Sequence, residues 1–266
     1  MPKPRVLILR APGTNCDVET AFAFETAGGL AQVLHINRVL ENPQFFSESQ
    51  VLCLPGGFSY GDDVAAGRIL ANQICHHLTD ALQQFRADGK LILGICNGFQ
   101  VLVKAGMLLA KDNSTETMNC TDSLATLTWN DSGVFEDRWV QLAASGDKSP
   151  LLRGIDSMYL PVAHAEGKFV TRSQEVLRQL EAEGQLVLRY TDPASPEDKQ
   201  VAYPHNPNGS QQAVAGLCDE TGRVLGLMPH PERHIDRTQH PRWTRGEAAT
   251  VGDGLAMFRN AVDYFS

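Results

Sequence analysis

Gly94-Ile95-Cys96-Asn97-Gly98-Phe99-Gln100 stands between the apolar run Leu91-Ile92-Leu93 and the helical pattern Val101-Leu102-Val103-Lys104-Ala105. A buried strand that turns sharply into a helix must lift one side chain out of the backbone corner, and glycines two positions to either side leave room for that turn. Here the lifted side chain is Cys96. The context is that of a nucleophile elbow with sulfur in place of oxygen. The following helix points unpaired N–H groups at the thiol, and its positive end favours thiolate, the form that attacks carbonyl carbon. The Asn97 N–H is then placed to face the oxyanion formed on attack. The competing reading is a buried cysteine in an ordinary strand–helix corner, since free cysteines commonly serve packing.

Outward from this corner the same alternation repeats. Arg5–Arg10 reads as a buried strand ended by Pro12-Gly13, with Asp17 as the expected cap of a helix through Ala27 that Gly28-Gly29 stops. Gln32–Ile36 is a second strand and Val51–Leu54 a third, closed by Pro55-Gly56-Gly57. Ile69, Leu70, Ile74, Leu78, Leu82 and Phe85 recur at helical spacing up to Asp88-Gly89, and Lys90–Ile95 delivers Cys96. Strands alternating with helices imply parallel pairing with right-handed crossovers, so the fold class is α/β: a mostly parallel open sheet with helices on both faces. Such sheets bind ligands at the carboxyl ends of their strands, where Gly56-Gly57 and Cys96 both fall.

From about Asn113 short strand-like pieces take over, among them Leu124–Trp129, Arg138–Leu142 and Tyr159–Val162. A helix is expected around Gln174–Glu183 and a strand at Leu186–Tyr190, and Thr191–Ser210, rich in Pro, Asn and Asp, reads as surface loop. Ala213–Cys218 and Val224–Met228 flank a polar turn and predict a hairpin; Gly254–Tyr264 predicts a last helix that buries Leu255, Phe258, Ala261 and Val262. No repeat or linker divides the chain.

The 266 residues suffice for a proper core, and 23 Lys+Arg against 31 Asp+Glu give a net charge of −8 with no basic block. Nucleic acid and anionic membrane are therefore not expected as partners. The start has too short an apolar run for a signal peptide, and no stretch approaches the ~18 apolar residues of a membrane span. Cys16, Cys53, Cys75, Cys96, Cys120 and Cys218 form no C-x-x-C pair, which favours reduced thiols in the cytoplasm over a disulfide framework or a zinc ribbon.

The partner for Cys96 lies far along the chain. Met228-Pro229-His230-Pro231-Glu232-Arg233-His234 closes the last apolar run, and Pro231 disfavours helix at His230. In an extended chain residues two apart share a face, so Glu232 can bond the His230 ring and fix its tautomer. A strand-end histidine held by a carboxylate is the proton acceptor and donor that a cysteine nucleophile needs. His164-Ala165-Glu166-Gly167 has the same spacing and is the rival source of the base, though it lacks the enforcing proline. The spacing of His230 and His234 does not predict a metal site, because Pro229 and Pro231 oppose the helix that such ligation uses; no metal is expected. Pro55–Asp62 could cradle a phosphate but lacks the Lys-Ser/Thr ending of a P-loop, so a Gly57 N–H in the oxyanion hole is the better reading. A cysteine peptidase or small-molecule hydrolase on the same sheet, or a binding subunit with an idle thiol, are the alternatives.

Taken together, Gly94–Gln100, Pro55–Asp62 and Met228–Arg233 resemble the class I glutamine amidotransferases. Phe58-Ser59-Tyr60-Gly61-Asp62, Asn97-Gly98-Phe99-Gln100, Ala163-His164-Ala165-Glu166-Gly167 and Asn206-Pro207-Asn208-Gly209-Ser210 narrow the resemblance to the branch that serves purine biosynthesis. The likeness runs through most of residues 5–265. It implies a flavodoxin-like sheet with an added short-strand segment, as one glutamine amidotransferase domain over 1–266. It implies Cys96 as nucleophile, His230 as base, Glu232 as its orienting partner, Gly57 and Asn97 as the oxyanion hole, and Phe58 and Gln100 around bound glutamine. His164 and Glu166 are implied near the site without a fixed role. No cofactor is implied in this chain. The implied partner is a synthetase subunit that uses ATP and Mg2+ to amidate formylglycinamide ribonucleotide with the ammonia released here, and a third small subunit is left open. Asp63-Val64-Ala65-Ala66 departs from the family's usual Tyr-Leu-Arg-Ala.

Overall fold

The computed structural model describes residues 3–109, 123–196, 198 and 200–266. The strands are β1 (Arg5–Arg10), β2 (Leu30–His35), β3 (Val51–Leu54), β4 (Leu91–Ile95), β5 (Ala125–Thr128), β6 (Glu136–Ala144), β7 (Ser157–His164), β8 (Lys168–Thr171), β9 (Leu188–Thr191), β10 (Val214–Cys218) and β11 (Val224–Leu227). The helices are α1 (Asp17–Thr26), α2 (Ile36–Glu41), α3 (Gln44–Glu48), α4 (Arg68–His77), α5 (Thr79–Ala87), α6 (Asn97–Lys104), α7 (Gln174–Ala182) and α8 (Leu255–Asp263). The main sheet has the order β2-β1-β3-β4-β11-β10-β9-β6-β7, and β5 pairs β8 in a small second sheet. The pairings from β2 to β11 are parallel; those beyond β11 are antiparallel.

Consecutive strand residues point to opposite faces, so a strand buried at every position is covered on both sides. Val51–Leu54, Leu91–Ile95 and Val224–Leu227 are buried throughout, which is the signature of a sheet sandwiched between helices. Phe24 of α1 meets Phe258 of α8 edge to face at 4.9 Å, and each such ring contributes roughly 1.5–3 kcal/mol by leaving water. Among the described residues no helix is long and apolar enough to cross a membrane.

The antiparallel strands matter for what they bring back. β7 ends the sheet, yet the His230 N–H, just past β11, donates to Pro161 O of β7 at 2.9 Å. The strands beyond β11 therefore curl round until the last one lies over the carboxyl ends of the parallel set.

Several expectations are corrected. The long helix ends at Leu78, where φ −125° and ψ 7° separate α4 from α5. Cys16, not Asp17, is the residue before α1, and Asp17 instead sits 3.5 Å from Arg10. The short helices α2 and α3 and the strand β8 carry too few residues to show a period. The loop expected over Thr191–Ser210 starts only after Thr191, the last residue of β9, and among its described residues Asn206, Asn208 and Ser210 are buried. Cys16, Cys53, Cys96 and Cys218 are free thiols, whereas Cys75 is disulfide-bonded; spacing along a chain carries no information about which sulfurs a fold brings together. Asn113 and Cys120 lie outside the described residues.

Candidate active site

Cys96 links β4 to α6 with φ 50° and ψ −106°. Few L-residues adopt such a conformation, and its cost, of order 1–3 kcal/mol, is met by the packing around it. The glycines serve that packing by close approach. A Cβ on Gly98 would stand 1.9 Å from Leu54 O, and one on Gly94 would stand 2.5 Å from the Leu102 side chain. The Cys96 N–H donates to Leu227 O at 2.7 Å, and its sulfur lies 3.8 Å from Ala163 O. The side chain is 5% exposed.

His230 reaches the same place from the end of β11. Its Nδ1 bonds Glu232 Oε1 at 2.6 Å, with both residues buried. The pairing is made in a 3-10 turn over Pro231–Arg233 rather than in extended chain. Proline at the first position of that turn fits because its missing N–H would have had no partner there. Burial alone would push the imidazole down. The Glu232 carboxylate, aided by the Cys96 and Cys16 sulfurs, outweighs it and holds His230 well above its ordinary value. Among the described residues its Nε2 has no hydrogen-bond partner.

Gly56 is where these groups converge. A Cβ there would meet His230 Cε1 at 2.7 Å, Cys16 Sγ at 3.1 Å and Cys96 Cβ at 3.4 Å. The adjoining Gly57 has φ +132°, and a side chain on it would strike Asn15 N at 2.7 Å. No backbone acceptor takes the Gly57 N–H among the described residues, and the Asn97 N–H opens α6, where the helix itself supplies no acceptor.

The Asn97 side chain braces the loop in front of the site. Its Oδ1 accepts from Ser59 N at 3.2 Å, and its Nδ2 donates to Asp62 Oδ1 and to Gln100 Oε1, each at 2.9 Å. Gln100 Nε2 donates in turn to Glu166 O at 2.5 Å, so both ends of that amide are engaged inside the protein. Burial, with Glu166 adding to it, raises Asp62 to about 6. Phe58 stacks on Phe135, ring centres 6.3 Å apart, and remains half exposed beside the site.

His164 is buried apart from the triad geometry. Asn130 Nδ2 donates to Val134 O at 3.0 Å and to His164 O at 2.8 Å, which turns Asn130 Oδ1 toward His164 Nδ1 at 3.1 Å and Gly167 N at 3.1 Å. The ring therefore carries its proton on Nδ1. Burial, with the His230 charge adding to it, lowers His164 to about 3. An imidazole so depressed stays neutral where His230 is charged. Glu166 Oε2 accepts from Ala66 N at 3.3 Å and does not orient a histidine as Glu232 does.

Sequence reading missed Cys16 and Asn130 at the site; it placed Gly56 at a ligand-binding strand end and Arg233 within the His230 motif, without their contacts to Cys16. The one signal for Cys16 was its place beyond the carboxyl end of β1. Its sulfur lies with a nitrogen of His230 and an oxygen of Glu232 inside 4.8 Å, a set that could hold a thiophilic cation. Arg233 Nη2, at 3.2 Å from that sulfur, brings positive charge against one.

Residues 3–265 match the family of CobB/CobQ-like glutamine amidotransferase domains. The subunit PurQ of phosphoribosylformylglycinamidine synthase from Dehalococcoides mccartyi is 45% identical, over 99% of this chain and 98% of that one. The same subunit from Methanococcus maripaludis is 36% identical over 99% and 98%. A chain in the structure of PurLQS from Thermotoga maritima superposes with a TM-score of 0.72 at 29% identity, each covered in full. A glutamine amidotransferase from the same organism, 16% identical with a TM-score of 0.51, shares the fold.

Proposed function

From the premise that this chain belongs to the CobB/CobQ-like glutamine amidotransferase domain family, we propose that it hydrolyses glutamine for phosphoribosylformylglycinamidine synthase and hands the ammonia on. The observation that carries the chemistry is the convergence of Cys96 and the His230–Glu232 pair on Gly56.

Cys96 thiolate attacks the side-chain carbonyl carbon of glutamine. The oxyanion that forms takes hydrogen bonds from the Gly57 and Asn97 N–H groups. His230, protonated at neutral pH, gives its proton to the departing ammonia, then accepts one from the water that cleaves the glutamyl thioester. Glu232 keeps the Nδ1 proton in place, so that Nε2 faces the reacting atoms throughout. Phe58 and the Gln100-braced loop border the bound glutamine.

Ammonia passes to a synthetase subunit, where ATP and Mg2+ drive amidation of formylglycinamide ribonucleotide to the amidine. The complex works in the cytoplasm, and a small third subunit accompanies it, as in the matched PurLQS. Mixed with the synthetase, Cys96→Ala is expected to abolish glutamine-dependent synthesis and to leave ammonium-dependent synthesis intact. Loss of both would refute the division of labour.

A further inference from the structure

The proposed mechanism uses one of two thiols at this site. Cys16 is 1% exposed and meets Cys96 across Gly56, its Sγ at 3.1 Å and the Cys96 Cβ at 3.4 Å from the single point a Gly56 side chain would occupy. Cys16 Sγ lies within 4.8 Å of a His230 nitrogen, and His230 Cε1 stands 2.7 Å from the same point at Gly56. Arg233 Nη2 donates to Cys16 Sγ at 3.2 Å while its Nε is held by Glu19 at 2.8 Å, so a fixed positive charge sits beside the second sulfur. Cys16 Sγ faces Asn15 Oδ1 at 3.3 Å.

We propose that Cys16 is the resolving thiol of a peroxide-sensitive pair: oxidised Cys96 is captured by Cys16 as a disulfide that closes the glutaminase reversibly. The proposal rests on the reading of Cys96 as the reactive nucleophile. In the first step Cys96 thiolate attacks one oxygen of hydrogen peroxide. The S–O bond forms, the O–O bond breaks, and the departing hydroxide takes the proton from His230 to leave as water. In the second step Cys16 gives its proton to His230 and attacks the Cys96 sulfur. The S–S bond forms, the S–O bond breaks, and hydroxide again leaves as water with the His230 proton. Two thiols lose two electrons, and one peroxide becomes two waters.

The site supplies what each step needs. His230 serves as acid and base in both; burial pushes the Cys16 thiol up, and His230 and the Arg233 guanidinium act against that rise, so its attack runs through proton transfer to His230. Capture as a disulfide stops the sulfenic acid from advancing to irreversible sulfinic acid.

The test uses the assembled complex with the synthetase. After treatment with hydrogen peroxide, a non-reducing peptide map of the wild type is expected to show the Cys16 and Cys96 peptides newly joined. Glutamine-dependent synthesis should be lost and then restored by dithiothreitol, while ammonium-dependent synthesis serves as the control for the synthetase. Cys16→Ser should recover several-fold less activity with dithiothreitol, its Cys96 peptide carrying sulfinic acid. A wild-type map in which the two peptides stay separate overturns the proposal, whatever the variant does. An electrophilic glutamine analogue applied before oxidation separates the two readings. If it fails to label Cys96, the functional reading falls; if it labels Cys96 and no joined peptide forms, only the disulfide proposal falls.

Discussion

At position 56 a single methyl group would enter the space that His230, Cys16 and Cys96 share. Gly56→Ala puts its Cβ 2.7 Å from His230 Cε1 and 3.1 Å from Cys16 Sγ, so the imidazole must shift by several tenths of an ångström or more. A displacement of about 1 Å costs about 10²-fold in rate, so a fall of up to about 10²-fold is expected, and overpacking destabilises by about 1–3 kcal/mol. Steady-state glutamine hydrolysis and urea unfolding of the variant check both figures. Glu232→Gln acts on the same imidazole through charge. Without the carboxylate that outweighs burial, His230 falls back, and the alkaline limb of the pH–rate profile moves to lower pH. A fall of about 10²–10⁴-fold in kcat is expected from the lost orientation and charge. A pH profile unchanged in shape would show that Glu232 does not set the state of His230.

The strand–elbow–helix element owes its form to glycine on both sides of Cys96. Gly98→Ala would drive its Cβ to 1.9 Å from the Leu54 carbonyl oxygen, a backbone atom of a central strand that cannot swing aside. We expect a loss of about 3 kcal/mol or more, read as a lower urea midpoint with an unchanged slope. This element was legible in the sequence because its demands are local: an apolar run, two glycines at fixed offsets and a helical period. β1 and β3 were legible for the same reason, down to their end residues. Where a demand is not local the reading failed. The break at Leu78 interrupts an apolar period that runs on through it, and β8 exists only because β5 lies alongside. His230 and Glu232 could be paired from their spacing, but the 3-10 turn that pairs them was not apparent. Cys16 carried only its place beyond the carboxyl end of β1 until the fold set it beside His230.

On the scale of the whole molecule, buried polar groups from distant segments hold the curled edge in place. Asn208 Nδ2 donates to Gly167 O at 2.8 Å and to Tyr190 Oη at 3.2 Å, and Asn130 fixes His164 and Gly167. A run of Pro, Asn and Asp reads as loop because these residues suit turns; that three of its side chains also serve the interior could be learned only from what they touch. His164 makes this interior pH-sensitive. Its folded value of about 3 lies below the ordinary 6.5, so between those two the unfolded chain binds a proton that the native state refuses. Its contribution to stability is full above pH 6.5 and declines as pH falls toward 3, by up to about 1.4 kcal/mol per pH unit. His164→Gln should flatten this acid limb by one proton, measured as the difference in unfolding free energy between pH 7.5 and pH 5. An acid limb of undiminished slope would show that the sensitivity resides elsewhere.

The bond from His230 to Pro161 joins the end of β11 to a strand made much earlier in the chain, and both are made after Cys96. On the ribosome, at about 5–20 residues per second, the sulfur is in place roughly ten seconds before its base has been added. A nascent chain therefore holds an elbow that cannot turn over, and no ammonia is liberated by a molecule not yet able to deliver it.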